Sequence, residues 1–162
     1  MLISPNVKFT SSFKIIVFLT DLKEKFDIPI IGIIEPTTQY IKKQNYHEVG
    51  VIATEGTIRS GAWEQKLKEK IPEIQVINKA CPMLATIAEE GKAQSLEGRK
   101  VIKEYMEPFK EKHIDKIILG CTHFPLLSGI INEINPSLKL VSSNYPVSKT
   151  LNELLEKKNI KN

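Results

Sequence analysis

The stretch Lys116-Ile117-Ile118-Leu119-Gly120-Cys121-Thr122-His123-Phe124-Pro125-Leu126-Leu127 decides the fold. Its opening run is apolar and β-branched without polar alternation, which suits a strand buried on both faces, as in a parallel sheet. Gly120 ends the run, and a short polar turn leads into a helical pattern expected over residues 125–134. A strand running straight into a helix begins a crossover unit. Cys121 therefore falls at the carboxyl end of a strand, where open α/β sheets bind ligands.

The same pattern recurs on both sides. Apolar runs at residues 28–34, 49–54, 74–77 and 138–141 are expected strands. Helices are expected at about residues 16–26, at 58–70 where Pro72 then stops the chain, at 95–112 and at 147–158. Within residues 95–112, Val101, Ile102, Tyr105 and Phe109 recur at helical spacing. Strands alternating with helices predict an α/β fold built of parallel-sheet crossover units. Residues 1–12 show no period and no strand, so the pattern reads as starting partway through an architecture.

The chain has 162 residues, 41% hydrophobic and 26% charged. Chains of this size bury about 68–70% of their unfolded surface, enough for a core without a disulfide or metal staple. The 23 Lys and Arg exceed the 19 Asp and Glu by four. Much of that excess is interleaved with acids, as in Lys66-Leu67-Lys68-Glu69-Lys70, which reads as a solvated helix face. No basic block with interleaved aromatics points to nucleic acid, whereas anionic small molecules remain open as partners. Cys81 and Cys121 are too few for a secreted disulfide framework, so a reducing, cytoplasmic location is expected. The apolar run at residues 13–19 is interrupted by Lys14, falls short of the ~18 residues a membrane helix needs, and lacks a cleavage pattern.

Three strand ends carry residues that could do chemistry. Unpaired N–H groups and a helix dipole beside Cys121 are predicted to lower its thiol pKa. His123, two residues on, could donate, accept or hold a carboxylate; the bland alternative is a buried cysteine with a histidine capping the turn. At Thr54-Glu55-Gly56-Thr57, two hydroxyls could bind a carboxylate or ammonium group, or Thr57 could simply cap a helix. At Ala80-Cys81-Pro82 the proline suits a helix start, so Cys81 could be a near-surface thiol in the site, although a packed structural cysteine is the stronger reading. Glu89 and Glu90 read as solvated helix-end charges, one of which could turn inward to orient His123. Neither C-x-x-C nor H-x-x-x-H occurs, so no metal site is expected. A cysteine hydrolase is disfavoured because His123 is not expected to reach Cys121 from two residues away. A P-loop, a nucleophile elbow and a dinucleotide fingerprint are all absent from the sequence.

Taken together, the segments 49–57, 80–82 and 119–127, with 23–36 before them, resemble the glutamate racemases of the aspartate/glutamate racemase family. The resemblance implies two α/β lobes with the site between them, and D-glutamate made from L-glutamate for peptidoglycan and hence cell shape. It implies neither pyridoxal phosphate nor any other cofactor, glutamate as the small-molecule partner, and compatibility with a homodimer. In that family two cysteines face opposite sides of the substrate α-carbon. By resemblance Cys121 is one of them, Thr122 and His123 bind or polarise substrate, Thr54 and Thr57 line the site, and Glu89 supports His123. The family's Asp-Ser-Gly and Pro-Tyr-Gly motifs have no counterpart here. Its other cysteine falls by register near Ser11, and Ser142-Ser143 stand where an aspartate is usual. The resulting expectation divides the chain into a remnant of the first lobe (1–36), a second α/β lobe (37–141) and a segment returning to the first lobe (142–162). The function expected is a truncated racemase working by cysteine acid–base chemistry; the alternative is a non-catalytic glutamate-binding or interaction remnant.

Overall fold

The computed structural model describes Leu22 and residues 24–157. Helix α1 (Ile34–Lys43) leads into β1 (Glu48–Ala53), followed by the short α2 (Glu55–Arg59) and α3 (Ala62–Lys70). Strand β2 (Gln75–Ala80) is followed by α4 (Pro82–Glu89), a 3-10 turn and α5 (Leu96–Glu111). Strand β3 (Lys116–Leu119) passes through a second 3-10 turn (Phe124–Leu127) into α6 (Ser128–Ile134); β4 (Lys139–Ser142) and α7 (Asn144–Lys157) complete the described chain. The four strands form one parallel sheet in the order β2-β1-β3-β4.

The unbroken apolar runs are explained by two cores, one on each sheet face. Ile52, Ile117 and Leu119 face α4, α5 and α6, packing on Leu84, Ile102, Met106 and Phe109. Val49, Val51, Ile118 and Val141 face the other way, against Ile41 of α1 and Trp63 and Leu67 of α3. Gly50 is the concession to α5: a Cβ there would lie 2.5 Å from Phe109 Cε1. Helix α5 starts at Ser95, whose Oγ accepts from Gly98 N–H at 3.0 Å and satisfies one of the helix's free donors. No helix among the described residues is long and apolar enough to cross a membrane.

The structure departs from the sequence reading in four places. Residues 28–34 do not form a strand: Pro29 lacks an N–H, Ile28 is 63% exposed, and the run bends into α1 at Ile34. The expected helix at 58–70 is two helices. The chain breaks at Gly61, which sits in the left-handed region (φ 67), and α2 begins earlier, at Glu55. The helix expected at 125–134 starts as a 3-10 turn and becomes α-helical only at Ser128. Helices α1 and α4 were not among the helices located from periodicity, although Pro82 had marked a start for α4. Most of the helix expected at 16–26, and the region around Ser11, lie outside the described residues.

Candidate active site

Parallel pairing delivers the strand ends to one edge. Ala53 pairs with Ala80, Ile52 with Leu119, and Leu119 with Ser142. Beyond those pairs, Cys81 N–H donates to Ala53 O and Gly120 N–H to Ile52 O, each at 2.8 Å. Thr54, Cys81, Cys121 and Ser143 thus leave the sheet side by side.

Cys121 begins a tight turn in which Phe124 N–H bonds Cys121 O and Leu126 N–H bonds His123 O, both at 3.1 Å. The turn folds His123 back over the thiol, so Nδ1 lies 3.7 Å from Cys121 Sγ. This corrects the expectation that two residues of separation would keep them apart: the four-residue turn closed by Phe124 N–H on Cys121 O, just ahead of the 3-10 segment, curls the chain so that the two side chains meet. On its other side His123 Nε2 lies 3.0 Å from Glu89 Oε1, at the last residue of α4. Glu90 points elsewhere, to Lys92 at 2.6 Å. The result is a carboxylate–imidazole–thiol chain. If Nε2–H is donated to Glu89, Nδ1 keeps its lone pair and can accept from the thiol.

The thiol itself is recessed. Cys121 is 6% exposed, while the side chains of His123 and Glu89 are 43% and 60% exposed. The predicted fall in its pKa does not occur. Burial raises the Cys121 thiol above its ordinary value, with the backbone N–H groups of His123, Phe124 and Thr122 pulling the other way and the Glu89 charge adding to the rise. The physical reason is the element that follows: a four-residue 3-10 turn has little dipole to offer, whereas desolvation acts in full.

Thr54, in extended conformation, is the N-cap of α2, and its Oγ1 lies 3.0 Å from Thr57 Oγ1. Thr57 is therefore inside the helix rather than capping it, and it is 1% exposed. Thr122 is exposed on the turn beside Cys121. Cys81 is wholly buried, its thiol donating to Lys79 O at 3.6 Å, and burial pushes that thiol up to about 12. Met83 and Leu126, 52% and 73% exposed, lie just after Cys81 and His123. Periodicity gave no sign of them, because an outward apolar residue in a short helix looks like any core residue. Among the described residues no three His, Cys, Asp or Glu side chains gather where a metal ion could sit.

A family model described as Asp/Glu/Hydantoin racemase matches residues 10–144. A glutamate racemase of Oceanobacillus iheyensis is 41% identical over 147 residues, covering 89% of this chain and 54% of that protein. One from Persephonella marina is 38% identical over 140 residues, covering 86% and 52%. In three dimensions the chain is similar to the glutamate racemase isoform RacE1 of Bacillus anthracis, with a TM-score of 0.83 at 33% identity, covering 91% of this chain and 56% of that one. It is also similar to the Francisella tularensis glutamate racemase in complex with D-glutamate, with a TM-score of 0.82 at 32% identity, covering 93% and 57%. The chain thus spans about half the length of the relatives it matches.

Proposed function

Because the chain belongs to the Asp/Glu/hydantoin racemase family, we propose that it acts in cofactor-independent racemisation of glutamate, with Cys121 serving one face of the substrate α-carbon. The observation that carries this reading is the Glu89–His123–Cys121 chain at the carboxyl edge of the sheet. His123 Nδ1 takes the thiol proton while Glu89 holds the ring. The thiolate then removes the α-proton: the C–H bond breaks, an S–H bond forms, and the electron pair passes into the α-carboxylate. A thiol raised by burial gives a stronger base once ionised, which suits a weak carbon acid. The hydroxyls of Thr54 and Thr122 supply donors for the charged groups of the substrate, and the buried Thr57 hydroxyl, 3.0 Å from that of Thr54, holds Thr54 in place. Residues 37–141 would be the lobe that holds this half of the site, with 1–36 and 142–162 belonging to the first.

Inversion also needs a proton donor on the opposite face. Cys81, buried and with its thiol at about 12, is poorly suited to that task. The share of the reaction assigned to this chain is therefore exchange on one face, within a family role of making D-glutamate for peptidoglycan.

The test is proton exchange in deuterated water with each glutamate enantiomer separately. Deuterium should enter the α-position of one enantiomer at constant optical rotation. Cys121→Ala should lower the rate by ~10²–10⁴, the usual worth of a general base, and Glu89→Gln should slow it less. Full racemisation by the pure chain would overturn the one-face assignment, and exchange undiminished in Cys121→Ala would remove Cys121 from the reaction. Glutamate binding without exchange would favour the alternative, a non-catalytic glutamate-binding protein.

A further inference from the structure

Trp63, the chain's single tryptophan, is the largest wholly buried side chain among the described residues, at 1% exposure. Its indole Nε1 is buried with no hydrogen-bond partner among them. An unpaired buried donor is costly, so the position of that atom needs a reason. It lies against Gly120, the residue between β3 and Cys121. A Cβ built on Gly120 would meet Trp63 Nε1 at 2.8 Å, Ile52 O at 3.0 Å and Ala53 Cβ at 3.1 Å. Gly120 has no positive φ, so this glycine is required for space rather than for backbone freedom. The indole edge and the backbone of β1 together close over it.

We propose that Trp63 is a positioning residue: its indole edge, seated against Gly120, fixes how the Gly120–His123 turn leaves the sheet, and so sets the approach of the Cys121 thiol to His123. The geometry suits that task. Trp63 sits near the start of α3, joined through Gly61 to α2, which carries Thr57. It belongs to the core that holds Val51, Ile118 and Val141, whereas Cys121 belongs to the core on the other face of the sheet. One rigid side chain therefore bears on the backbone just past the end of β3, from which Cys121 emerges. A neighbour with its ring held by packing on all sides cannot yield cheaply, so a shift at Gly120 is passed to the turn.

The inference rests on Cys121 being the reactive thiol of the proposed site. Its test is the pH profile of iodoacetamide alkylation at Cys121 in the full chain, located by peptide mass and read beside thermal melting. Gly120→Ala should displace the turn by a few tenths of an ångström and slow Cys121 alkylation about tenfold, with a moved pH midpoint, since His123 and Glu89 then face the sulfur differently. Trp63→Phe deletes the indole edge and should also move the midpoint. The double variant, in which phenylalanine makes room for the new Cβ, should recover most of the rate lost in Gly120→Ala. Single variants that melt lower but keep the wild-type midpoint would reduce Trp63 to a packing role and overturn the proposal. A double variant no better than Gly120→Ala would overturn it too. If Gly120→Ala does not fold, Trp63→Phe alone decides by its midpoint. Alkylation needs no glutamate, so a wild-type chain without deuterium exchange refutes the racemase reading and leaves this result standing. A chain that exchanges but shows no dependence on Trp63 refutes the positioning role alone.

Discussion

Replacing Cys81 by alanine should reverse its effect on stability between neutral and alkaline pH. In the fold the Cys81 thiol is wholly buried, and burial raises it from 9.0 to about 12, with the Lys79 charge opposing. The unfolded chain releases that proton near the ordinary thiol value, while the native chain holds it. A raised thiol therefore stabilises the fold fully below about pH 9, and that contribution is lost as pH climbs through the window to about 12. The slope is about 1.36 kcal/mol per pH unit, so the loss is at most ~4 kcal/mol over the window and roughly 2–3 kcal/mol by about pH 11. Cys81→Ala removes the titration at a pH-independent cost of ~1 kcal/mol for the lost sulfur contacts and small void. The variant should be less stable than wild type near neutrality and more stable by about pH 11. Urea unfolding followed by circular dichroism across this range gives the difference curve directly. Titrating groups that do not interact with Cys81 are common to both proteins and cancel, whereas Tyr105, which the Cys81 charge raises, contributes to the difference curve. Two stability curves that stay parallel from neutrality to about pH 11 would refute the reasoning and mean that Cys81 ionises as freely in the fold as outside it.

Three further outcomes are expected. Gly50→Ala would place a methyl group 2.5 Å from Phe109 Cε1 and 2.6 Å from Ile117 Cδ1, so overpacking should cost about 1–3 kcal/mol, read as a lower urea midpoint at unchanged slope. Ser95→Ala removes the cap that accepts Gly98 N–H and should cost about 1 kcal/mol, whereas Ser95→Asp should hold near wild-type stability in the same assay. At about pH 8 iodoacetamide should label Cys121 well before Cys81, because a thiol at about 12 is ionised in only roughly one molecule in ten thousand. Equal labelling in a peptide map would contradict the burial difference between the two thiols.

What could be read from the sequence was what depends on burial alone. The runs at Val49–Ala53 and Ile117–Leu119 announced themselves because both faces of each strand are covered, leaving no polar alternation. Residues 28–34 carry the same signal and form no strand, since an apolar run states that surface must be covered and not by what. Helix α1 was hidden for a related reason: buried Thr37 and Thr38 bond backward to Ile33 O at 2.7 Å and Glu35 O at 2.9 Å, so polar letters occupy core positions. The two-helix form of residues 55–70 turned on one left-handed residue, Gly61, whose neighbours would fit a continuous helix equally well.

The candidate site was legible in its residue types and misread in its electrostatics, and both follow from how the chain leaves β3. Placing Cys121 at a strand end suggested a helix dipole that would favour the thiolate. A dipole needs aligned peptides, and a 3-10 turn of four residues followed by a change of helix type at Ser128 supplies few. The turn just before it, closed by Phe124 N–H on Cys121 O, folds His123 over Cys121 at 3.7 Å. Burial raises the thiol, and the imidazole that the proposed reaction uses to take its proton lies between Cys121 Sγ at 3.7 Å and Glu89 Oε1 at 3.0 Å. In the proposed reaction a low thiol pKa would be the wrong property. A thiolate formed too easily is too weak a base for an α-proton, whereas a recessed thiol ionised through a neighbouring imidazole retains its basicity until substrate arrives.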